Sequence, residues 1–446
     1  MYAQSAMRSL RRIIPESRPV SSDPNWFGFQ LSLSGQPVFP ASPDLKTRSD
    51  DLGSAEFDRD WHSDRAPSSR GISSKRGILV EIAENWPNAG RAVWLFGGIV
   101  AYNSPGTDVE ICAGSGGPVV RRCEINSYGG LFEILKKQGF SIIGTTFVVH
   151  QDELNGLRPA EFRMAGLRNG WPLSELRQKW REVAFAASKL DQMPLMDVSS
   201  RLAFGLEYGQ LRLYDLASAY AAQLRSRCTK DKPVEYQRFK DLLSREVYKS
   251  IHALFWELAV LRDTLAEFAA MFCFSKPGVR TLRGLLSFLR TAASADPLSA
   301  ELLSITDVKL GGWLARFASY RNFFTHIAPM EWTAGIAFSV QDVRRLNDQS
   351  TVPQIYYPLP GNIDELTRER SNGTFYPTME RLLEGSKRRA DRAMDPDALE
   401  YLHLSLNRFA ELAKTLITRS PLAPAGIHLG PEDIIGEIQW TPGTSE

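Results

Sequence analysis

Cysteine is scarce: four in 446 residues, Cys112, Cys123, Cys228 and Cys273. They stand apart without a C-x-x-C pair or the Cys/His spacing of a structural zinc site, which excludes a zinc finger and argues against a disulfide framework. Histidine is equally sparse, six in all. None of His150, His252 and His403 has a second ligand at metal spacing, so each reads as a packed or surface residue, and no cofactor is expected. Charge is nearly balanced, with 53 Lys and Arg against 51 Asp and Glu and a net charge of +2. No global field draws the chain to nucleic acid, and any such binding must use a local patch. Nowhere does an apolar stretch approach the ~20 residues that a spanning helix needs. The opening MYAQSAMRSLRRIIPESRP carries basic residues but no apolar core of signal-peptide length. These absences together predict a soluble protein of the reducing cytoplasm, with no membrane contact.

What the chain does contain is an ordinary globular composition, 43% hydrophobic and 23% charged, enough to bury at least one large core across roughly two to four domains. Residues 1–76 are rich in Ser, Pro, Asp and Arg and predict a loosely ordered arm, since such a composition offsets little of its ordering entropy. Between 77 and 150 short apolar runs alternate with glycine: GILVEIA, RAVWLFGGIVAY, TDVEICA, PVVRRCEI, GLFEILKKQGF and SIIGTTFVVH. That pattern predicts a small α/β or α+β domain, rich in strands, with one amphipathic helix at 129–138.

Beyond residue 150 the periodicity turns helical. A connector at 151–234 leads into YQRFKDLLSREVYKSIHALFWELAVLRDTLAEFAAMF, where Ile251, Leu254, Phe255, Leu258, Leu261, Leu265, Phe268 and Phe272 follow the spacing of one long helix with a buried stripe. TLRGLLSFLRTAA, LGGWLARFASYRNFFTH and ALEYLHLSLNRFAELAKTLIT extend the pattern to a helical bundle over 235–420, with a tail at 421–446. An insertion at 329–395 is too long for an ordinary connection and predicts an elaboration packed on the bundle or reaching over its site. The fold class is therefore α+β, with a mainly α-helical C-terminal bundle behind a smaller strand-rich domain.

The candidate chemistry lies in LGGWLARFASYRNFFTHIAP, which reads as a helix starting after Gly311-Gly312 and stopping before Pro329. On a regular helix Asn322 and His326 share a face, whereas Arg321, five residues from His326, points about 140° away. A neutral histidine takes a proton from a hydroxyl, and a guanidinium fork holds phosphate and balances its charge. The two together suffice for metal-free RNA cleavage to a 2′,3′-cyclic phosphate. The competing reading is a surface arginine beside a capping or core histidine.

The helix with Arg321, Asn322 and His326, preceded by the acidic-aromatic helix FWELAVLRDTLAEF and followed by a terminal helix, resembles the HEPN superfamily of all-α RNases and nucleic-acid-associated modules. That resemblance implies a metal-independent endoribonuclease with Arg321, Asn322 and His326 in its motif. It also implies a homodimer, an RNA substrate and use in toxin or antiphage defence systems, with a possible antitoxin or regulatory partner. Some members of that family are inactive scaffolds, so a non-catalytic interaction or RNA-binding module stands as the alternative. Glu257 and Asp263 are supporting candidates to orient the histidine or the arginine, and Lys387, Arg388, Arg389 and Arg392 are candidate contacts to an RNA backbone.

A second constellation, Phe96-Gly97-Gly98 followed by Asp108-Val-Glu110, resembles the nucleotidyltransferases. It implies a glycine turn cradling a triphosphate and a Mg²⁺ site of Asp108, Glu110 and Glu124. The serine usual after the glycine is missing, and a glycine-rich hairpin with exposed acids accounts for the same residues.

Overall fold

The structure is a computed structural model that describes residues 89–427 except 105, 150–152, 154–158, 168–169, 231–233, 293–295, 308, 328–338, 362 and 373–395. The expected arm at 1–76, the GILVEIA run, His150 and the basic residues Lys387, Arg388, Arg389 and Arg392 lie outside the described residues.

Six short strands form the first layer: β1 (Gly90–Leu95), β2 (Val100–Asn103), β3 (Asp108–Cys112), β4 (Val119–Glu124), β5 (Ile142–Val148) and β6 (Glu161–Met164). Their order is β4-β3-β2-β1-β5-β6, and every pairing is antiparallel. Turns rich in glycine join β2, β3 and β4, as alternating apolar runs with intervening glycines require. Helix α1 (Gly130–Lys137) matches the amphipathic segment expected there and buries Leu131 and Leu135.

Helices α2 (Pro172–Lys189) and α3 (Met193–Lys230) follow. Along α3, Tyr214 packs edge-on to Trp94 of β1 with ring centroids 5.2 Å apart, and against Phe162 of β6 at 5.0 Å. Sheet and helices thus share a continuous buried core. Next comes β7 (Gln237–Phe239), in a stretch that the sequence pattern assigned to the long helix. The helix α4 (Leu242–Phe268) begins later because a capping box stops it: the Asp241 carboxylate accepts from Ser244 N–H at 3.0 Å, and the Ser244 hydroxyl accepts from Asp241 N–H at 3.1 Å. Its predicted apolar stripe from Ile251 to Phe268 is buried.

Helices α5 (Leu282–Ala292), α6 (Pro297–Thr306) and α7 (Trp313–Asn322) lead to strands β8 (Ser339–Arg345) and β9 (Thr351–Tyr356), then α8 (Ile363–Ser371) and α9 (Ala398–Ile417). A second antiparallel sheet runs β7-β8-β9. Its β8–β9 turn docks against the first sheet and α1: Asp348 pairs with Arg121 of β4 at 2.6 Å, and the Asn347 amide donates to the Lys137 carbonyl at the end of α1 at 2.9 Å. Among the described residues no helix is long and apolar enough to cross a membrane.

Candidate functional site

Helix α7 is anchored on its inner side by aromatics. Trp313 and Phe317 meet Phe409 of α9 at 5.1 and 5.3 Å, and the Tyr320 hydroxyl donates to the Pro360 carbonyl at 3.0 Å. The next two residues, Phe323 and Phe324, are both buried, with Phe324 against Phe255 at 5.7 Å and His252 at 5.9 Å. After Asn322 the chain widens into a π-turn over Phe323–Ile327.

That turn corrects the geometry expected of a regular helix. Its i→i+5 pattern stacks residues five apart, so Arg321 does not point away from His326. The Arg321 Nη1 lies 3.2 Å from His326 Nε2 and 3.1 Å from the Asn322 Oδ1 that accepts from it. A guanidinium offers only donors, so this approach is a hydrogen bond when Nε2 is the acceptor. Asn322 and His326 are exposed and Arg321 is half-buried.

A residue that sequence reasoning missed completes the group. The Arg321 guanidinium sits 5.1 Å from the ring centroid of Trp256 on α4, a tryptophan 54% exposed. Its signal was available: Trp256 stands off the buried stripe of α4, an aromatic on the polar face. Val260, one turn on, is 52% exposed, and on α3 Phe204 and Tyr208 stack at 6.3 Å while remaining about half exposed. Arg212 of α3 lies close enough to Glu257 of α4 to favour its ionised form, so the two outward faces adjoin.

The supporting acids are engaged elsewhere. Asp263 pairs with its neighbour Arg262 at 3.0 Å and accepts from Leu282 N–H at 3.1 Å, which ties α4 to the start of α5. Burial raises the Glu257 carboxyl above the usual range, opposed by Arg212 rather than by Arg321.

At the other constellation, Gly97 and Gly98 both adopt positive φ, 81° and 85°. A Cβ on Gly97 would meet Gln354 of β9 at 2.7 Å, and one on Gly98 the Tyr220 carbonyl oxygen of α3 at 2.7 Å. The turn is therefore covered by protein, and its glycines serve close packing rather than a phosphate cradle. Glu110 pairs with Arg122 across the β3–β4 ladder at 2.8 Å, and Asp108 stands opposite Glu124. Among the described residues no three His, Cys, Asp or Glu side chains converge to hold a metal ion.

No family model matches this chain, and no curated protein or solved structure matches it. The site is thus read from its own geometry. His252 and His403 take no part in it: His252 packs on Phe324, and His403 is buried beside Phe96, its Nε2 2.8 Å from the Ala165 carbonyl.

Proposed function

We propose that the chain is a metal-independent endoribonuclease in which His326 moves protons, Arg321 clamps phosphate and Asn322 positions the arginine. The observation that carries this reading is the 3.2 Å approach of Arg321 Nη1 to His326 Nε2 on the solvent side of the π-turn. A phosphodiester arriving at the guanidinium competes for the same N–H and releases Nε2 as a base. His326 then takes the proton of a 2′-hydroxyl, whose oxygen attacks the adjacent phosphorus. The P–O5′ bond breaks, the departing oxygen takes a proton from water while His326 returns its own to solvent, and a 2′,3′-cyclic phosphate and a 5′-hydroxyl result. Arg321 offsets the charge that gathers on the non-bridging oxygens. The HEPN resemblance of the sequence supports the same roles.

A second reading, a non-catalytic interaction module, draws support from the outward apolar residues Phe204, Tyr208, Trp256 and Val260. The two are compatible when that face joins two copies of the chain. RNA cleavage in excess EDTA by the wild type, His326→Ala and Arg321→Ala separates them. Metal-free cleavage that leaves cyclic phosphate and falls at least about 100-fold in both variants is expected. Cleavage indifferent to both substitutions, in proteins that unfold at the wild-type midpoint, removes the pair from catalysis.

A further inference from the structure

Arg321 closes one end of α7, and a separate cavity of about 420 Å³ opens at the other, lined by Trp313, Arg316, Tyr401 and Arg408 beside the exposed Leu310. Its volume lies in the range of small-molecule sites. The two arginines differ in engagement. Arg316 is held by Asp364 at 3.4 Å, by the Tyr320 hydroxyl at 3.4 Å and by the Gly361 carbonyl. Arg408 is 5.8 Å from the Trp313 ring centroid, and among the described residues no carboxylate pairs with it.

A half-buried guanidinium without a carboxylate calls for an anion. Tyr401 also lines the cavity, and burial keeps its phenol protonated and able to donate, against the lowering pull of Ser405, Arg316 and Arg408. Trp313 adds a flat apolar wall, the surface on which a planar ring stacks whatever its hydrogen-bonding edge. A guanidinium next to an aromatic plane suits a molecule with an anionic end and a planar body. We infer that this cavity binds a nucleoside monophosphate, its phosphate on Arg408 and the Tyr401 hydroxyl and its base against Trp313. The inference is independent of what Arg321 and His326 do.

Calorimetric titration of the full chain with AMP tests it, with inorganic phosphate and adenosine as separate arms. Saturable AMP binding is expected, weakened about tenfold or more in Arg408→Ala and less in Arg408→Lys, which keeps the charge but not the fork. Trp313→Leu should weaken AMP and leave inorganic phosphate unchanged. Absence of saturable heat into the millimolar range, or equal AMP affinity in the wild type and an Arg408→Ala protein that unfolds at the wild-type midpoint, overturns the inference. Inorganic phosphate binding as tightly as AMP overturns the role of Trp313, and adenosine binding as tightly overturns that of Arg408.

Discussion

Two titratable side chains near the start of α9, the buried His403 and the part-buried Asp397, work against each other as pH changes. Burial lowers His403 from 6.5 to about 4, and burial raises the Asp397 carboxyl from 3.8 to about 6. For His403 the folded value lies below the unfolded one, so its contribution is full above pH 6.5 and is lost as pH falls towards about 4. For Asp397 the folded value lies above, so its contribution is full below 3.8 and is lost as pH rises through about 6. Each amounts to on the order of 3 kcal/mol, and between these limits they nearly cancel. Asp397→Asn keeps an oxygen for the N–H groups of Leu399 and Glu400 that Asp397 now caps, but removes the second titration. Urea melts at pH 4, 5 and 6.5 should show the variant losing on the order of 3 kcal/mol on acidification while the wild type changes little. A variant with the wild-type pH dependence refutes the compensation.

At the scale of elements, caps and turns decide more than helix propensity does. The Asp241 carboxylate closes the capping box of α4 and also accepts from the Gln223 amide at 2.7 Å, whose oxygen takes the Tyr357 hydroxyl. Asp241→Ala removes the cap and orphans a buried amide, so a loss of about 2 kcal/mol is expected in equilibrium unfolding. A loss below about 0.5 kcal/mol, the size of an ordinary surface change, counts against that network. The sequence pattern located the long helix and its buried stripe but ran it through Gln237–Phe239, because apolar periodicity alone does not register a cap. The same blindness hid the π-turn. Nothing in the spacing of Arg321 and His326 says that the chain leaves the α-helical pattern over Phe323–Ile327, and this is what brings the pair together.

Across the whole molecule, α3 and α4 present an apolar outward face, with Tyr208 and Val260 each about half exposed. In the proposed dimer this face meets its counterpart on a second copy. Tyr208→Glu with Val260→Glu should then yield a monomer by light scattering at concentrations where the wild type is dimeric, with little change in the unfolding midpoint. A wild type that is already monomeric at tens of micromolar argues against the dimer.

Composition and periodicity were enough for the α+β class, the long helix α4 and the helix α1, because apolar spacing reports which face of an element leaves water. They also singled out Arg321, Asn322 and His326 as chemically able residues. Beyond the local π-turn that joins Arg321 to His326, which of the candidate groups meet was settled by packing between separate elements. Gly97 and Gly98 are filled against by Gln354 and Tyr220, Asp263 is spent on the start of α5, and Trp256 comes to lie under Arg321. These are contacts across tens to hundreds of residues, and local patterns hold no record of such distances.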